Sequence, residues 1–191
     1  MKPIILASTS PRRKELLSQL NLDFQAIPAR CEEKMTAGED PLRTARRLSR
    51  EKAESLKDKY RSHIIVGADT FVNFKKQVLG KPYSREDAER MLRCLSSQTV
   101  TVITGFVILD ASRNKSVSRT VTTQVFFKKI TPAEIKKYID SGEPLGKAGA
   151  FAIQGKGAVF VKGIKGSYTN ILGLPLYKIS QEFKKFGINI L

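Results

Sequence analysis

The sequence predicts an α/β protein. Three observations carry this: an apolar strand-like run, Ile4 to Ala7, that feeds directly into the helix opening Ser10-Pro11; further helix openings with capping residues at Asp40, Ser84 and Thr131; and a stretch from Thr99 to Lys129 dominated by β-branched and aromatic residues. The run Ile4 to Ala7 reads as a short strand. Ser10 is a suitable N-cap, Pro11 suits the first helical position, and Leu16, Leu17 and Leu20 give the following helix its inner face. A strand-to-helix junction of this kind presents backbone N–H groups at the positive end of the helix dipole, which suits a phosphate. Arg12 and Arg13 stand in that first turn, where the dipole disfavours a cation by roughly a few tenths of a kcal/mol. Either an anion offsets this cost, or both side chains point to solvent.

Phe24 to Pro28 predicts a second strand, followed by a polar loop with Cys31-Glu32-Glu33 and a helix opened by Asp40 and Pro41. The apolar stripe of that helix is Ala45, Leu48, Ala53, Leu56 and Tyr60, and Lys52 lies within roughly 40° of both Leu48 and Leu56. An inward lysine either snorkels to the edge of the stripe or finds a counter-charge supplied by a ligand. Ile64 to Ala68 predicts a buried strand ending in Asp69-Thr70; an acid there is either at a site on the rim of a sheet or a turn or cap aspartate. Phe71 to Phe74 and Val78-Leu79-Gly80 read as a hairpin, and Lys81-Pro82 leads to a helix over Arg85 to Leu95, capped by Ser84 with Asp87 in capping-box position. Thr99 to Lys129 predicts two or three antiparallel strands, and Thr131-Pro132-Ala133-Glu134 opens a helix running to Ile139. Gly142 to Gly173 holds eight of the thirteen glycines, read as turns between strands, and a last helix spans Pro175 to Phe186.

Composition narrows the function. The 191 residues are 41% hydrophobic, enough for a sizeable core, and carry 34 Lys and Arg against 18 Asp and Glu, a net charge of +16. A disordered polybasic arm is excluded. No apolar run approaches the roughly 20 residues that span a bilayer, and the apolar stretch of MKPIILASTSPRR is too short for a signal peptide, so a soluble, cytoplasmic protein is expected. Cys31 and Cys94 have no CxxC spacing, and the single histidine, His63, excludes an HExxH site. Chemistry must then rest on carboxylates, amines, hydroxyls and an oxygen-ligated metal. The basic residues are dispersed, and neither a zinc finger, a basic zipper nor an RNP-type aromatic strand accompanies them; nucleic acid is not expected as the main ligand. GxxxxGK[ST] and GxGxxG are both absent.

Several segments together are more specific: LASTSPRRKELL at residues 6–17, the Cys31-Glu32-Glu33 loop, LSREKA at 48–53, VGADTFV at 66–72, LGKP at 79–82, GEPLGKAGAFAIQGKGAVFV at 142–161 and IKGSYTNILGLPL at 164–176. With these, over nearly its whole length, the chain resembles the Maf family of nucleoside triphosphate pyrophosphatases. The resemblance implies one elongated α/β domain over residues 1–191, with a central mixed sheet flanked by helices and an active-site cleft, similar to inosine-triphosphate pyrophosphatases. It also implies hydrolysis of a nucleoside triphosphate to monophosphate and pyrophosphate with a divalent cation. Asp69 matches the family's catalytic proton acceptor. Arg12, Thr70 and Gln154 match positions of base choice and resemble the branch acting on dTTP and UTP; the branch acting on 7-methyl-GTP typically has Trp, another residue after the Asp, and Glu there.

On this basis Arg12, Arg13, Lys52 and Lys81, with Ser8, Ser10 and the helix N-terminus, are the expected phosphate-binding groups. At an effective dielectric near 20, each close pair with the roughly four charges of a triphosphate is worth about 4 kcal/mol before desolvation. Glu33 and Asp69 are hard oxygen ligands suited to Mg²⁺ or Mn²⁺, and a metal acidifies its bound water enough for a carboxylate to take the proton; direct ligation by Asp69 is the alternative. The Gln154 amide, donor and acceptor at once, can read the O4 and N3–H edge of thymine or uracil. The expected partners are the nucleotide and, as an open alternative to a monomer, a second copy in a homodimer, with no membrane. Two other readings stand beside this one: a 7-methyl-GTP pyrophosphatase, and a regulator of septum formation binding DNA or a protein, since Maf proteins are linked with septum arrest. Limiting the incorporation of modified nucleotides is a further implied role. Tyr168 and Asn170 carry no assignment.

Overall fold

Strand β1 (Ile4–Ala7) is buried at every position and pairs in parallel with both β2 (Phe24–Ile27) and β3 (Ile64–Phe74). Parallel neighbours need crossovers, and the intervening helices α1 (Pro11–Ser18) and α2 (Pro41–Glu54) supply them. The computed structural model describes residues 2–32, 34, 38–75 and 77–191. With β4 (Gln77–Leu79), β5 (Thr99–Asp110), β6 (Lys115–Phe127) and β7 (Val161–Lys165), the strands form one mixed seven-stranded sheet in the order β2-β1-β3-β5-β6-β7, with β4 paired antiparallel to β3. The helices α3 (Arg85–Leu95), α4 (Pro132–Asp140), α5 (Tyr168–Ile171) and α6 (Leu176–Phe183) complete the α/β fold expected from the sequence. Among the described residues no helix is long and apolar enough to cross a membrane.

The chain divides into two compact units, and the cut falls inside β3, β5 and β6. The first unit (Met1–Asp69, Thr104–Val121, Leu172–Leu191) has a core of Ile5, Ala7, Ala53, Leu56, Ile65, Val107 and Leu109. Its α2 starts as the sequence predicts, with Asp40 Oδ1 accepting from Leu42 N–H and Arg43 N–H at 3.0 Å. The helix lies on the sheet through two absent side chains. A Cβ on Gly67 of β3 would stand 2.2 Å from Ser49 O, and one on Gly105 of β5 would stand 2.1 Å from Ala45 O. Two buried carboxylates brace this unit. Lys2 and Ser112 hold Asp110, while Arg119 and Lys185 hold Glu182. Burial pushes each carboxyl up, but these hydrogen bonds and charges leave both below the ordinary carboxylate range.

The second unit (Thr70–Ile103, Thr122–Ile171) has its own core, in which Leu92, Leu95, Val100, Val125, Phe127, Ile135 and Phe151 meet. Helix α4 carries the full capping box, with Thr131 and Glu134 bonded reciprocally. At α3, Ser84 caps as expected, yet Asp87 turns its carboxylate to Tyr83 N–H and Arg90.

Four local expectations change. Strand β3 runs without a break from Ile64 to Phe74, because Thr70, Phe71 and Val72 are themselves strand formers; Asp69 is therefore within a strand and not at its end. Ser10 occupies the N-cap position of α1, but its hydroxyl makes no cap bond; its own N–H donates to Ser8 Oγ at 3.2 Å. The glycine-rich segment holds only one strand, β7, and its turns instead flank short 3-10 helices at Ala148–Ala150 and Lys156–Phe160. The last helix ends at Phe183 and tightens into a 3-10 turn over Lys184–Phe186, which Gly187 closes at φ 75°.

Candidate functional site

In the first unit, the register Leu6↔Val66 sends Ser8 and Asp69 away from the same end of the β1–β3 pairing. Past Ala7 the chain turns tightly, with Ser8 N–H donating to Leu6 O at 2.8 Å. Ser8 Oγ then gathers Ser10 N–H and the Arg13 guanidinium, whose Nε also donates to Gly173 O at 2.9 Å. Arg13 thus ties the β1–α1 turn to the start of the last segment. Arg12 and Arg13 are both half-buried, which sets aside the alternative of two side chains pointing freely into solvent.

Lys52 does face inward and is 6% exposed, and its ammonium meets Asp69 Oδ1 at 2.5 Å. The counter-charge is thus a carboxylate of the chain itself, where the sequence suggested snorkelling or a ligand. The reason is visible one layer down. Gly67 and Asp69 lie on one face of β3, and the missing Cβ at Gly67 lets α2 approach until Lys52 reaches Asp69. Asp69 is equally buried, at 6% exposure. An ammonium has three protons, and Asp69 takes one of these donors.

Three of the remaining assigned residues, Thr70, Lys81 and Gln154, belong to the second unit. Thr70 follows Asp69 on β3 and is half-buried. Lys81 is exposed and follows Gly80, whose carbonyl accepts from Gly149 N–H at 2.9 Å; Gly149 needs its φ of 66° and its lack of a Cβ, which would meet Val72 at 2.9 Å. Gln154 is exposed in the turn before the 3-10 helix Lys156–Phe160. Glu33 lies outside the described residues.

Sequence reasoning passed over Glu143. Its Oε1 accepts from Tyr138 Oη at 2.9 Å and Gly157 N–H at 3.0 Å, and its Oε2 accepts from Lys156 N–H at 2.9 Å. Tyr138 Oη in turn accepts from Ala152 N–H at 3.1 Å. Burial pushes the Glu143 carboxyl up, but the two backbone N–H groups, the phenol and the Lys156 charge together hold it below the usual range. The signal available was the Gly155-x-Gly157 spacing, which leaves room for a half-buried acceptor beside the backbone.

Among the described residues, no three of His, Cys, Asp and Glu form a cluster fit to hold a metal. Asp69 nevertheless suits a shared cation: Lys52 takes Oδ1, and no other described residue bonds its carboxylate, so Oδ2 is a hard oxygen donor of the kind Mg²⁺ combines with phosphate oxygens and water.

Three comparisons bear on this arrangement. A family profile described as Maf-like protein matches residues 3–186. The dTTP/UTP pyrophosphatase of Pelotomaculum thermopropionicum is 44% identical over 191 residues, covering all of both chains. That of Methanosarcina barkeri is 45% identical over 191 residues, covering all of this chain and 97% of the other. Among solved structures, the Staphylococcus aureus Ham1 protein shares the fold with a TM-score of 0.56 at 12% identity, over 98% of this chain and 100% of that one.

Proposed function

This chain belongs to the Maf-like family, and we propose that it hydrolyses dTTP and UTP to the nucleoside monophosphate and pyrophosphate. The observation that carries the reading is the buried Lys52–Asp69 pair, beside a β1–α1 turn with two arginines and no acid in the helix's first turn. A carboxylate held by an ammonium near donors for phosphate can accept a proton while the charge of a polyphosphate is neutralised. Relatives named dTTP/UTP pyrophosphatase, at 44–45% identity over the full chain, support the pyrimidine substrate.

In the reaction a water oxygen bonds to the α-phosphorus, the α–β bridging P–O bond breaks, and its electron pair leaves with pyrophosphate. Asp69 takes the water's proton. Lys52 fixes the carboxylate and, with Ser8, Ser10 and Arg13, is assigned to the polyphosphate charge; Lys81 is assigned the same role from its matching motif. A divalent cation, Mg²⁺ or Mn²⁺, would be held by Glu33, with direct ligation by Asp69 as the alternative to its role as proton acceptor, and would supply charge neutralisation and acidification of water. Arg12, Thr70 and Gln154 select the base. On this reading the enzyme works in the cytoplasm, where nucleoside triphosphates are made and used.

A panel of nucleoside triphosphates assayed for pyrophosphate release tests the reading. dTTP and UTP are expected to have the highest kcat/KM. Faster turnover of 7-methyl-GTP would move the chain to the other substrate branch, and no pyrophosphate from any triphosphate would overturn the enzymatic reading.

A further inference from the structure

Gln154 sits on an exposed turn, a poor place from which to read a base unless the backbone beneath it is fixed. The structure fixes it at both ends. On the entry side Ala152 N–H donates to Tyr138 Oη, and on the exit side Lys156 N–H and Gly157 N–H donate to the two oxygens of Glu143. Tyr138 Oη donates to Glu143 Oε1, so one phenol–carboxylate pair holds the whole segment Ile153-Gln154-Gly155. A side chain at either glycine would crowd this pair. A Cβ on Gly155 would stand 2.7 Å from the Glu143 carboxylate, and one on Gly157 would stand 2.6 Å from Tyr138 Oη.

We infer that Glu143 is a positioning residue for base selection: its carboxylate, braced by Tyr138, sets the backbone from which Gln154 meets the nucleobase. The inference rests on the reading of Gln154 as a base-selecting residue. A carboxylate is the group suited to the task, since three donors converge on its two oxygens. An amide of the same shape has one acceptor oxygen and would direct an NH₂ at a backbone N–H. The ionised form is also the one favoured by its surroundings. Ordering the turn before the substrate arrives removes the entropy cost of doing so on binding.

The experiment measures kcat/KM for UTP relative to GTP in wild type, Glu143→Gln, Gln154→Ala and the double variant, with thermal melts of each. Glu143→Gln is expected to lower the pyrimidine preference by about ten- to a hundredfold, the scale of a small misplacement of a contacting group. The loss falls mainly in KM, and Glu143→Gln in the Gln154→Ala background lowers the preference no further. Tyr138→Phe, which keeps the ring in the core, shifts the preference the same way by less, and serves if Glu143→Gln does not fold. A changed preference in Gln154→Ala with none in Glu143→Gln or Tyr138→Phe overturns the inference and leaves Gln154 in place. No change in Gln154→Ala overturns the reading of Gln154 and the inference with it. Equal losses for both nucleotides, in step with a lower Tm, would make Glu143 a structural brace and overturn the inference.

Discussion

The buried pair Lys52–Asp69 and the exposed Gln154 are fixed in opposite ways. Lys52 and Asp69 stand inside a helix and a strand of the first unit, and main chain packed on main chain at Gly67 and Gly105 sets their separation. Gln154 stands on a turn of the second unit, and side chains from outside the turn hold its backbone. A group that must keep its charge environment is built into regular structure, where no rotation of one backbone bond can displace it. A group assigned to reading a base is on a loop whose shape can change without disturbing a core. The first arrangement should fail through packing, the second through the loss of single hydrogen bonds.

The most severe test of the first arrangement is Asp69→Asn. It keeps the shape and removes the charge and the proton acceptor, and kcat is expected to fall by about 10²–10⁴-fold. Breaking one side of a buried ion pair costs about 3–5 kcal/mol, so urea unfolding should show a loss of that order, partly restored in Asp69→Asn/Lys52→Met while activity stays low. Near-normal turnover of the single variant would remove Asp69 from the chemistry altogether.

Gly67→Ala probes the packing with less force. The new methyl meets Ser49 O, and the expected loss is about 1–3 kcal/mol with reduced turnover, since Lys52 must move with α2. Gly163→Ala on β7 is the control, because nothing lies within 4 Å of a Cβ there; a shift within about 0.5 kcal/mol is expected. Equal Tm losses in the two variants would mean that α2 is not seated through Gly67.

The smallest effect concerns acid. Asp110 and Glu182 in the first unit and Glu143 in the second all have folded pKa values depressed by their partners. Their contribution is therefore complete above the unfolded carboxylate range, near about pH 4, and is lost as the pH falls through the lower folded values. Urea midpoints should decline below about pH 4, and Glu182→Gln should flatten that decline. An unchanged slope would show that the Arg119–Glu182–Lys185 cluster does not hold in solution.

What could be read in the sequence was whatever local chemistry decides. Asp40-Pro41 and Thr131-Pro132 mark true helix starts because the capping side chain and the fixed φ of proline act within one turn. Lys52 was legible as inward-facing because 3.6-residue periodicity places it on the stripe. Its partner was not, because Asp69 comes from another element and only the sheet register with the Gly67 contact brings the two together. The strand end expected at Asp69 failed for a related reason: an acid interrupts a hydrophobic pattern without interrupting a backbone ladder. The glycine-rich segment was the least legible, since Tyr138 and Glu143 set its turns from elsewhere in the chain.

The seating of α2 has a genetic corollary. A side chain that clashes with another side chain can be accommodated by trimming its neighbour, so such pairs drift together over time. At Gly67 and Gly105 the obstructing atoms are the carbonyl oxygens of Ser49 and Ala45, which every amino acid carries. No replacement at 49 or 45 removes them. A suppressor screen started from Gly67→Ala should therefore return glycine at 67 or nothing local.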